Sequence, residues 1–239
     1  MSGQTNTLIP KQNPVVVAFY TTGDTRAASG STGATVSDAF RMRAQTLATS
    51  GYVYGVATVS DATAKIRAIS ATQPISGVYF VGHGNADVFF FDGVPDGTDN
   101  FQSVNSDGVL VDPGAVHSPM SPSSPDGTAS KTLMNELAKH IIPLTSLFAI
   151  AMLCCNSGTN LVAAVALALS GHGITNGTVG GYNNDYRTNF EGTAPKNAPP
   201  GWTPGWHDIV QTDDAKKTQL KKGTTNAPPS FDTSSNITP

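Results

Sequence analysis

The sequence predicts an α/β protein with a mostly parallel central sheet and helices on both of its faces. Apolar runs of strand length alternate along the chain with segments whose apolar residues recur at helical spacing. The clearest run, Leu147 to Leu153, ends abruptly in a polar turn that contains Cys154 and Cys155. A helix-forming segment, Leu161 to Leu169, follows the turn, which favours a central strand covered on both faces. The turn then lies at the carboxyl edge of the sheet, where open α/β sheets place their ligand sites.

Length and composition favour one folded domain. The 239 residues are enough for one large core, and nothing in the composition requires a second. We expect a flexible arm over residues 1–13, a folded domain over residues 14–212 and a disordered tail over residues 213–239.

Charge and cysteine usage exclude several classes of partner. With 14 basic and 17 acidic residues the formal net charge is −3, so no positive field favours nucleic acid or an anionic membrane. The two cysteines are adjacent, which excludes a disulfide framework and favours a reducing compartment. The segment Met1 to Pro10 lacks the basic region and apolar core of a signal peptide, and no apolar run reaches bilayer-spanning length. We therefore expect a cytoplasmic protein without a nucleic acid or membrane partner.

The first half of the chain predicts three strands joined by two helices. The strands are Val15 to Tyr20, Tyr52 to Val59 and Ile75 to Val81. Apolar stripes at helical spacing run through Phe40, Ala44, Leu47 and Ala48 and through Ala62, Ile66 and Ile69. Ser37 or Asp38 can cap the first helix, and Ser60 or Asp61 can cap the second. Strands joined by helical crossovers indicate a parallel sheet with right-handed connections.

The second half contains shorter and more varied segments. Val88 to Phe91 and Val109 to Val111 predict a small hairpin outside the main sheet. Pro113 to Asp126 is rich in Pro and Ser, which is typical of a mobile loop. The remaining regular elements are expected to be helices over Thr132 to Ile142 and Thr159 to Ser170 and a strand over Thr178 to Tyr182. From Asn183 onward the sequence predicts irregular structure.

The candidate chemistry lies where two predicted strands end. The strands that end at His83 and at Cys155 are consecutive, and neighbouring parallel strands lie about 4.8 Å apart. A thiol and an imidazole at these ends can serve as nucleophile and proton shuttle, and the helix after Cys155 favours its thiolate. The N–H groups of Gly84 and Cys155 could form an oxyanion hole. Together these groups make up an acyl-transfer site.

The other histidines, and the adjacent cysteines as a metal site, have simpler interpretations. His172 also lies in a Gly-His-Gly sequence, but there the glycines are explained by a helix end, whereas an apolar strand precedes His83. Surface or loop positions are expected for His117, His140 and His207. Adjacent cysteines lack the chelate spacing of a zinc site, so no metal is expected. The sequence also contains no P-loop, dinucleotide fingerprint or Gly-x-Ser-x-Gly elbow, so no cofactor is expected.

Two short motifs carry a family resemblance. Gly82-His83-Gly84 matches a Ser-Gly-His-Gly strand ending, and the segment from Cys155 to Thr159 is similar to a Cys-His-Ser-Gly-Thr turn. These motifs resemble those of the caspase-like cysteine peptidases of clan CD, most closely the metacaspase branch. The resemblance implies a caspase-like αβα sandwich and a cysteine endopeptidase in which His83 is the general acid/base and Cys155 the nucleophile. It implies no resident cofactor, and calcium as an activator is suggested by the family alone.

Two positions depart from the family pattern, and the first is Asn156, which replaces the His after the nucleophile. Metacaspases have an Asp two residues before the nucleophile, and caspases have a Gln there, whereas this chain has Leu153. The family's Asp helps to bind a basic side chain at P1, the substrate residue before the cleaved bond. The departure at Leu153 leaves open a second function, a catalytically inactive caspase-fold protein that acts as a binding module or scaffold.

The resemblance also places the S1 pocket, which holds the P1 side chain. In this fold the pocket is lined by the loop after the first strand and by the loop after the strand that follows the nucleophile's helix. Those loops contain Asp24 with Arg26, and Asp185 with Arg187. The two aspartates would bind a basic P1 side chain, and the two arginines would bind an acidic one. The metacaspase-like motifs favour a basic P1, because one carboxylate is enough to orient a guanidinium in a bidentate pair.

Overall fold

A seven-stranded sheet forms the centre of the protein. The computed structural model describes residues 13–28, 33–48, 51–91, 100–101, 127–143, 149–155, 157, 160–174, 176–182, 204–211 and 218–222. In chain order the elements are β1 (Val15–Thr21), α1 (Val36–Leu47), β2 (Tyr52–Val56), α2 (Val59–Ser70), β3 (Ile75–Val81), β4 (His83–Gly84), β5 (Phe89–Phe90), β6 (Asn100–Phe101), α3 (Gly127–His140), β7 (Ile150–Leu153), α4 (Asn160–Gly171), β8 (Asn176–Tyr182), β9 (Pro204–Gln211) and β10 (Thr218–Lys222).

Five neighbouring strands of the main sheet are parallel. Their spatial order is β2-β1-β3-β7-β8, and β9 and β10 extend the sheet beyond β8 as antiparallel strands. Helices connect the parallel strands, as a parallel sheet requires. The predicted fold class, an α/β protein with a mostly parallel sheet flanked by helices, is therefore confirmed.

The two faces of the sheet carry two separate apolar clusters. One cluster includes Val17, Phe19 and Phe80 and receives the buried side chains of α2, α3 and α4. The other includes Ala18 and Tyr79 and receives those of α1. Successive strand residues point to opposite faces, so odd and even positions of β1 separate into the two clusters. All seven residues of β3 are buried, as expected for a central strand covered on both sides.

Threonines cap the first two helices. The Oγ1 atom of Thr35 accepts the N–H of Asp38 at 3.1 Å, while the carboxylate of Asp38 accepts the N–H of Thr35 at 2.9 Å. This reciprocal pair is a capping box. At α2, the Oγ1 atom of Thr58 accepts the N–H of Asp61 at 3.0 Å. The caps predicted from the sequence lay further along the chain, because any serine or aspartate near a helix start is a plausible capping side chain.

The end of α3 is determined by a contact with β3. The helix ends at His140, and Ile141 forms a parallel bridge with Ile75. The N–H of Ile142 donates to the carbonyl oxygen of Ile75 at 2.7 Å. The sequence predicts that Pro143 ends this helix, but pairing with the start of β3 draws the chain out of the helix earlier.

A small second sheet follows β3. His83 and Gly84 in β4 pair antiparallel with β5, and β5 pairs antiparallel with β6. The strand predicted within Val88 to Phe91 is present as β5 and lies outside the main sheet, but it pairs with β4 and β6, which the sequence did not predict as its partners. Its predicted partner, Val109 to Val111, lies outside the described residues, as does the predicted loop Pro113 to Asp126.

The chain after β8 departs from the sequence-based expectation. The sequence predicts irregular structure beyond Asn183 and a tail beyond Asp213, whereas β9 and β10 form antiparallel ladders there. Proline is tolerated at the first residue of a strand, and β9 begins at Pro204. The proline and glycine residues that made this strand hard to recognise in the sequence therefore lie at its start. Among the described residues no helix combines the length and apolarity needed to cross a bilayer.

Candidate functional site

The carboxyl ends of β1, β3 and β7 meet at one edge of the sheet. The connection from β1 leads to β2 on one side, whereas the connection from β3 leads to β7 on the other. At such a reversal, open α/β sheets bind their ligands in a crevice outside the carboxyl ends of the strands. Asp24 follows β1, His83 follows β3 and Cys155 follows β7.

His83 is held between a carboxylate and an aromatic ring. Its Nε2 atom lies 2.8 Å from Oδ2 of Asp24 and 3.2 Å from Nη2 of Arg26. Phe40 from α1 contacts the imidazole edge-on, with ring centroids 5.0 Å apart and an interplanar angle of 79°. The His83 side chain is 22% exposed, so it stays accessible to solvent while its position is fixed by packing and hydrogen bonding.

Asp24 is a buried carboxylate with charged partners. Its side chain is 1% exposed, and Arg26 donates from Nε to Oδ1 at 2.9 Å and from Nη2 to Oδ2 at 2.5 Å. Burial by itself raises the pKa of Asp24, but the hydrogen bonds from Arg26 and His83 outweigh it and hold that pKa at about 2. The Arg26 side chain is 62% exposed, so the charge pair extends from the interior to the surface of the crevice.

The start of α1 holds the Asp24 loop in place. The N–H of Asp24 donates to Oγ of Ser37 at 3.0 Å, and the N–H of Ser37 donates to the carbonyl oxygen of Asp24 at 3.2 Å. The N–H of Val36 donates to the carbonyl oxygen of Arg26 at 2.9 Å. The N–H of Arg26 also donates to Oδ1 of Asp24 at 3.0 Å. The carboxylate is therefore anchored through both its backbone and its side chain.

The two cysteines lie on opposite faces of the sheet. Cys154 is fully buried in the cluster that contains α2, α3 and α4, and burial, followed by the neighbouring Cys155, raises the pKa of its thiol far above the ordinary value. Cys155 is half-buried and packs against the α1 cluster, to which Phe40 belongs. Since Phe40 also contacts His83, Cys155 and His83 lie on the same face of the sheet.

Strand pairing keeps β3 and β7 together up to the site. Val81 is in register with Leu153, and the N–H of Gly82 donates to the carbonyl oxygen of Leu153 at 3.3 Å. His83 and Cys155 follow directly on these neighbouring strands. The helix α4 begins at Asn160, five residues after Cys155.

Ser157 fastens the turn that carries Cys155. Its side chain is fully buried, and its Oγ lies 2.5 Å from the carbonyl oxygen of Met152 and 2.9 Å from that of Cys154. The same Oγ accepts the N–H of Tyr182, at the end of β8, at 3.2 Å. One hydroxyl thus ties the turn both to its own strand and to the neighbouring strand.

The glycines on either side of His83 are required by close packing. A Cβ atom on Gly82 would lie 2.6 Å from Cγ2 of Thr21 and 2.9 Å from the ring of Phe89. A Cβ atom on Gly84 would lie 2.4 Å from the sulfur of Cys154. The Gly-His-Gly sequence therefore lets β3 and the small sheet approach their neighbours closely while His83 faces the crevice.

The structure brings five of the predicted site residues to one edge, where Gly84 directly follows His83. His83, Asp24 and Arg26 are in direct contact, and Cys155 follows the adjacent strand. The S1 role of Asp24 and Arg26 stays a prediction, but both oxygens of the Asp24 carboxylate already accept hydrogen bonds. Asp185 and Arg187 lie outside the described residues.

Three supporting residues were not identified from the sequence as parts of the site. These are Ser37, Phe40 and Ser157. Phe40 was expected only as an apolar helix residue, and Ser37 only as a cap. Their proximity to Asp24 and His83 follows from the packing of α1 over the ends of β1 and β3, which no local pattern encodes.

Within the described part of the chain, no group of three His, Cys, Asp or Glu side chains is arranged to hold a metal ion. Comparison of the chain with models of protein families, with curated proteins and with solved structures finds no match.

Proposed function

We propose that this protein is a cysteine endopeptidase of the caspase-like clan CD, most similar to its metacaspase branch, with Cys155 as nucleophile and His83 as general acid/base. The main support is that a half-buried thiol and an anchored imidazole occupy one face of two adjacent strand ends. These strand ends lie beside the point at which the strand connections of the sheet reverse direction, which is where open α/β sheets bind their ligands. The motifs around both residues supply the family part of the proposal.

The proposed reaction is acyl transfer through a thioester. His83 takes the proton of the Cys155 thiol, and the sulfur attacks the carbonyl carbon of the scissile peptide bond. When the tetrahedral intermediate collapses, the C–N bond breaks and His83 donates the proton to the departing amine. Water then attacks the thioester with His83 again as the base, which releases the acid product and restores the thiol.

The oxyanion hole is assigned to the N–H groups of Gly84 and Cys155. The N–H of Asn85 donates to the carbonyl oxygen of Val88 at 2.9 Å, which makes these two a hydrogen-bonded pair of the small sheet. Because such pairs alternate in antiparallel ladders, the N–H of Gly84 is directed away from β5. This direction suits a donor to a developing oxyanion.

The choice of nucleophile follows from burial. Cys154 is 0% exposed and burial keeps its thiol neutral, whereas Cys155 is half-buried on the crevice side. A thiolate is the reactive form of cysteine, so a thiol with a raised pKa in an apolar core is inert. A reducing compartment such as the cytoplasm would keep both thiols available, and neither forms a disulfide here.

Hydrolysis of a positional peptide library by the purified full chain tests the proposal. We expect cleavage by the wild type and none by Cys155→Ala or His83→Ala. His140→Ala is a matched control, because His140 pairs with Glu136 on α3 and does not belong to the site. Loss of cleavage in this control, or cleavage that persists in Cys155→Ala, would contradict the assignment.

Leu153 supports a second candidate, a catalytically inactive scaffold with the same fold. This side chain is fully buried in the α1 cluster, so the position before Cys154 supplies no polar group to a substrate. Iodoacetamide labelling separates the two candidates. An activated Cys155 should react well below pH 8 and should lose that reactivity in His83→Ala, whereas equal, slow labelling of both proteins would favour the scaffold.

A further inference from the structure

Both charged neighbours of His83 contact the same ring nitrogen. Nε2 lies 2.8 Å from Oδ2 of Asp24 and 3.2 Å from Nη2 of Arg26. A guanidinium can only donate hydrogen bonds, whereas an ionised carboxylate can only accept them. The pKa of Asp24 is about 2, so its carboxylate is ionised at neutral pH.

The acceptor is closer to Nε2 and therefore determines the position of the proton. A bare Nε2 would place its lone pair 2.8 Å from a carboxylate oxygen, which is repulsive. With a proton on Nε2, the imidazole and Nη2 of Arg26 both donate to Oδ2 of Asp24. Nδ1 is then the only basic nitrogen of the neutral ring.

We infer that Asp24 is a positioning residue, whose buried carboxylate holds His83 as the Nε2–H tautomer so that Nδ1 exchanges the proton with Cys155. The role of Nδ1 rests on the proposed cysteine endopeptidase function, whereas the tautomer does not. Phe40 completes the arrangement, because its edge-on contact restricts rotation of the imidazole about its Cβ–Cγ bond.

The backbone contacts of Asp24 suit this role. Hydrogen bonds join its N–H and its carbonyl oxygen to Ser37, in the first turn of α1. Arg26 donates to both carboxylate oxygens, through its backbone N–H and its guanidinium. His83 occupies the remaining hydrogen-bonding direction of Oδ2. The carboxylate is therefore arranged to orient the imidazole.

The same contacts argue against direct substrate binding by Asp24. A basic P1 side chain would have to displace Arg26 from a side chain that is only 1% exposed. A positioning role affects the turnover of every substrate equally. A substrate-binding role would instead affect only those with a basic P1 residue.

The tautomer can be measured on the intact protein by long-range ¹H–¹⁵N correlation spectra of histidine-labelled protein at pH 8. His83→Gln assigns the His83 signals among those of the five histidines. We expect the wild type to show a protonated Nε2 and an unprotonated Nδ1. A protonated Nδ1 in the wild type would overturn the inference, whether or not any variant folds.

Asp24→Asn provides the second measurement. An amide oxygen at the Oδ1 position keeps the bonds from the backbone N–H and Nε of Arg26 and gives up those that Arg26 donates to Oδ2, so the NH₂ group faces His83 and favours the Nδ1–H tautomer. Asp38→Asn is the matched control, since Asp38 accepts from Thr35 and Arg41 and should leave the His83 signals unchanged. A His83 tautomer that is the same in Asp24→Asn and in the wild type would overturn the inference.

Kinetics then test the consequence for catalysis. In Asp24→Asn we expect kcat to fall roughly 100-fold or more while KM changes little. An unchanged kcat would overturn the positioning role. An Nε2–H tautomer in a wild type that hydrolyses no peptide would leave the tautomer established and would refute the peptidase, so the two failures are distinguishable.

Discussion

Gly84 packs directly against the sulfur of Cys154. A Cβ atom on Gly84 would lie 2.4 Å from this sulfur and 2.5 Å from the carbonyl oxygen of Val88. The buried cysteine therefore has a structural role: it fills the space beneath the residue that follows His83. This contact links the turn that carries Cys155 and the strand end that carries His83 through the core.

Gly84→Ala should lower the free energy of unfolding by about 1–3 kcal/mol, because the added methyl group overpacks the core. Adding Cys154→Ala should recover part of this loss, since it removes the sulfur but not the Val88 carbonyl oxygen. Urea unfolding of the two single variants and the double variant measures the coupling. Gly33→Ala is the control: Gly33 has a φ of +91° and nothing within 4 Å of an added Cβ atom. It should show no coupling to Cys154→Ala.

Cys154→Ala alone should leave hydrolysis largely intact and cost about 1 kcal/mol of stability, as expected for removal of one small buried group. In the native wild type, iodoacetamide should modify Cys155 and spare Cys154, because only Cys155 is partly accessible. Fragmentation mass spectrometry of the labelled peptide distinguishes these adjacent positions. Native-state labelling at Cys154 would mean that the strand register is wrong.

The central part of the fold could be predicted because local patterns determine it. Every residue of β3 and β7 and four of the seven residues of β1 are buried, and the turns after β3 and β7 place His83 and Cys155 at one edge. The faces of Cys154 and Cys155 follow from strand alternation alone.

The contact between Asp24 and His83 could not be predicted in the same way. These residues are 59 positions apart, and their distance depends on how the loop after β1 is tied to the start of α1. Asp24 was therefore expected only as a P1-binding residue. The strands β9 and β10 were missed because β9 depends on pairing with the edge of β8, and β10 on pairing with β9, more than on an apolar pattern of their own.

Ser157→Ala should lower the free energy of unfolding by about 1–3 kcal/mol, because it leaves the buried N–H of Tyr182 without its acceptor. Chemical unfolding measures the loss. Ser70→Ala removes an exposed serine hydroxyl bond at the end of α2 and should change stability by less than about 0.5 kcal/mol. Equal effects of the two substitutions would show that Ser157 does not fasten the turn.

Asp24 should make the stability of the protein depend on acid pH. Its pKa falls from the ordinary value of 3.8 to about 2 on folding, so the unfolded state binds more protons between these values. The stabilisation is complete above about pH 4 and is lost as the pH falls through 2. Asp24→Asn should therefore lower the free energy of unfolding by about 2 kcal/mol at pH 6, with a smaller difference near pH 2. Urea unfolding of the wild type and the variant across this pH range measures the difference in their free energies of unfolding. A difference that does not change with pH would contradict the stabilising role assigned to the ionised carboxylate.

Substrate selectivity should separate the two aspartates that the family resemblance places in S1. The Asp24 carboxylate is bonded to Arg26 and His83, so Asp185 is the candidate left to bind a basic P1 side chain. With paired fluorogenic peptides that differ only in Arg or Asp at P1, we expect preferred cleavage after Arg. Asp24→Asn should reduce turnover of both peptides by the same factor, whereas Asp185→Asn should reduce kcat/KM for the Arg peptide alone.

Cleavage only after Asp, lost in Arg187→Ala, would reverse the P1 assignment. A selective loss of cleavage of the Arg peptide in Asp24→Asn would instead show that Asp24 belongs to the S1 pocket.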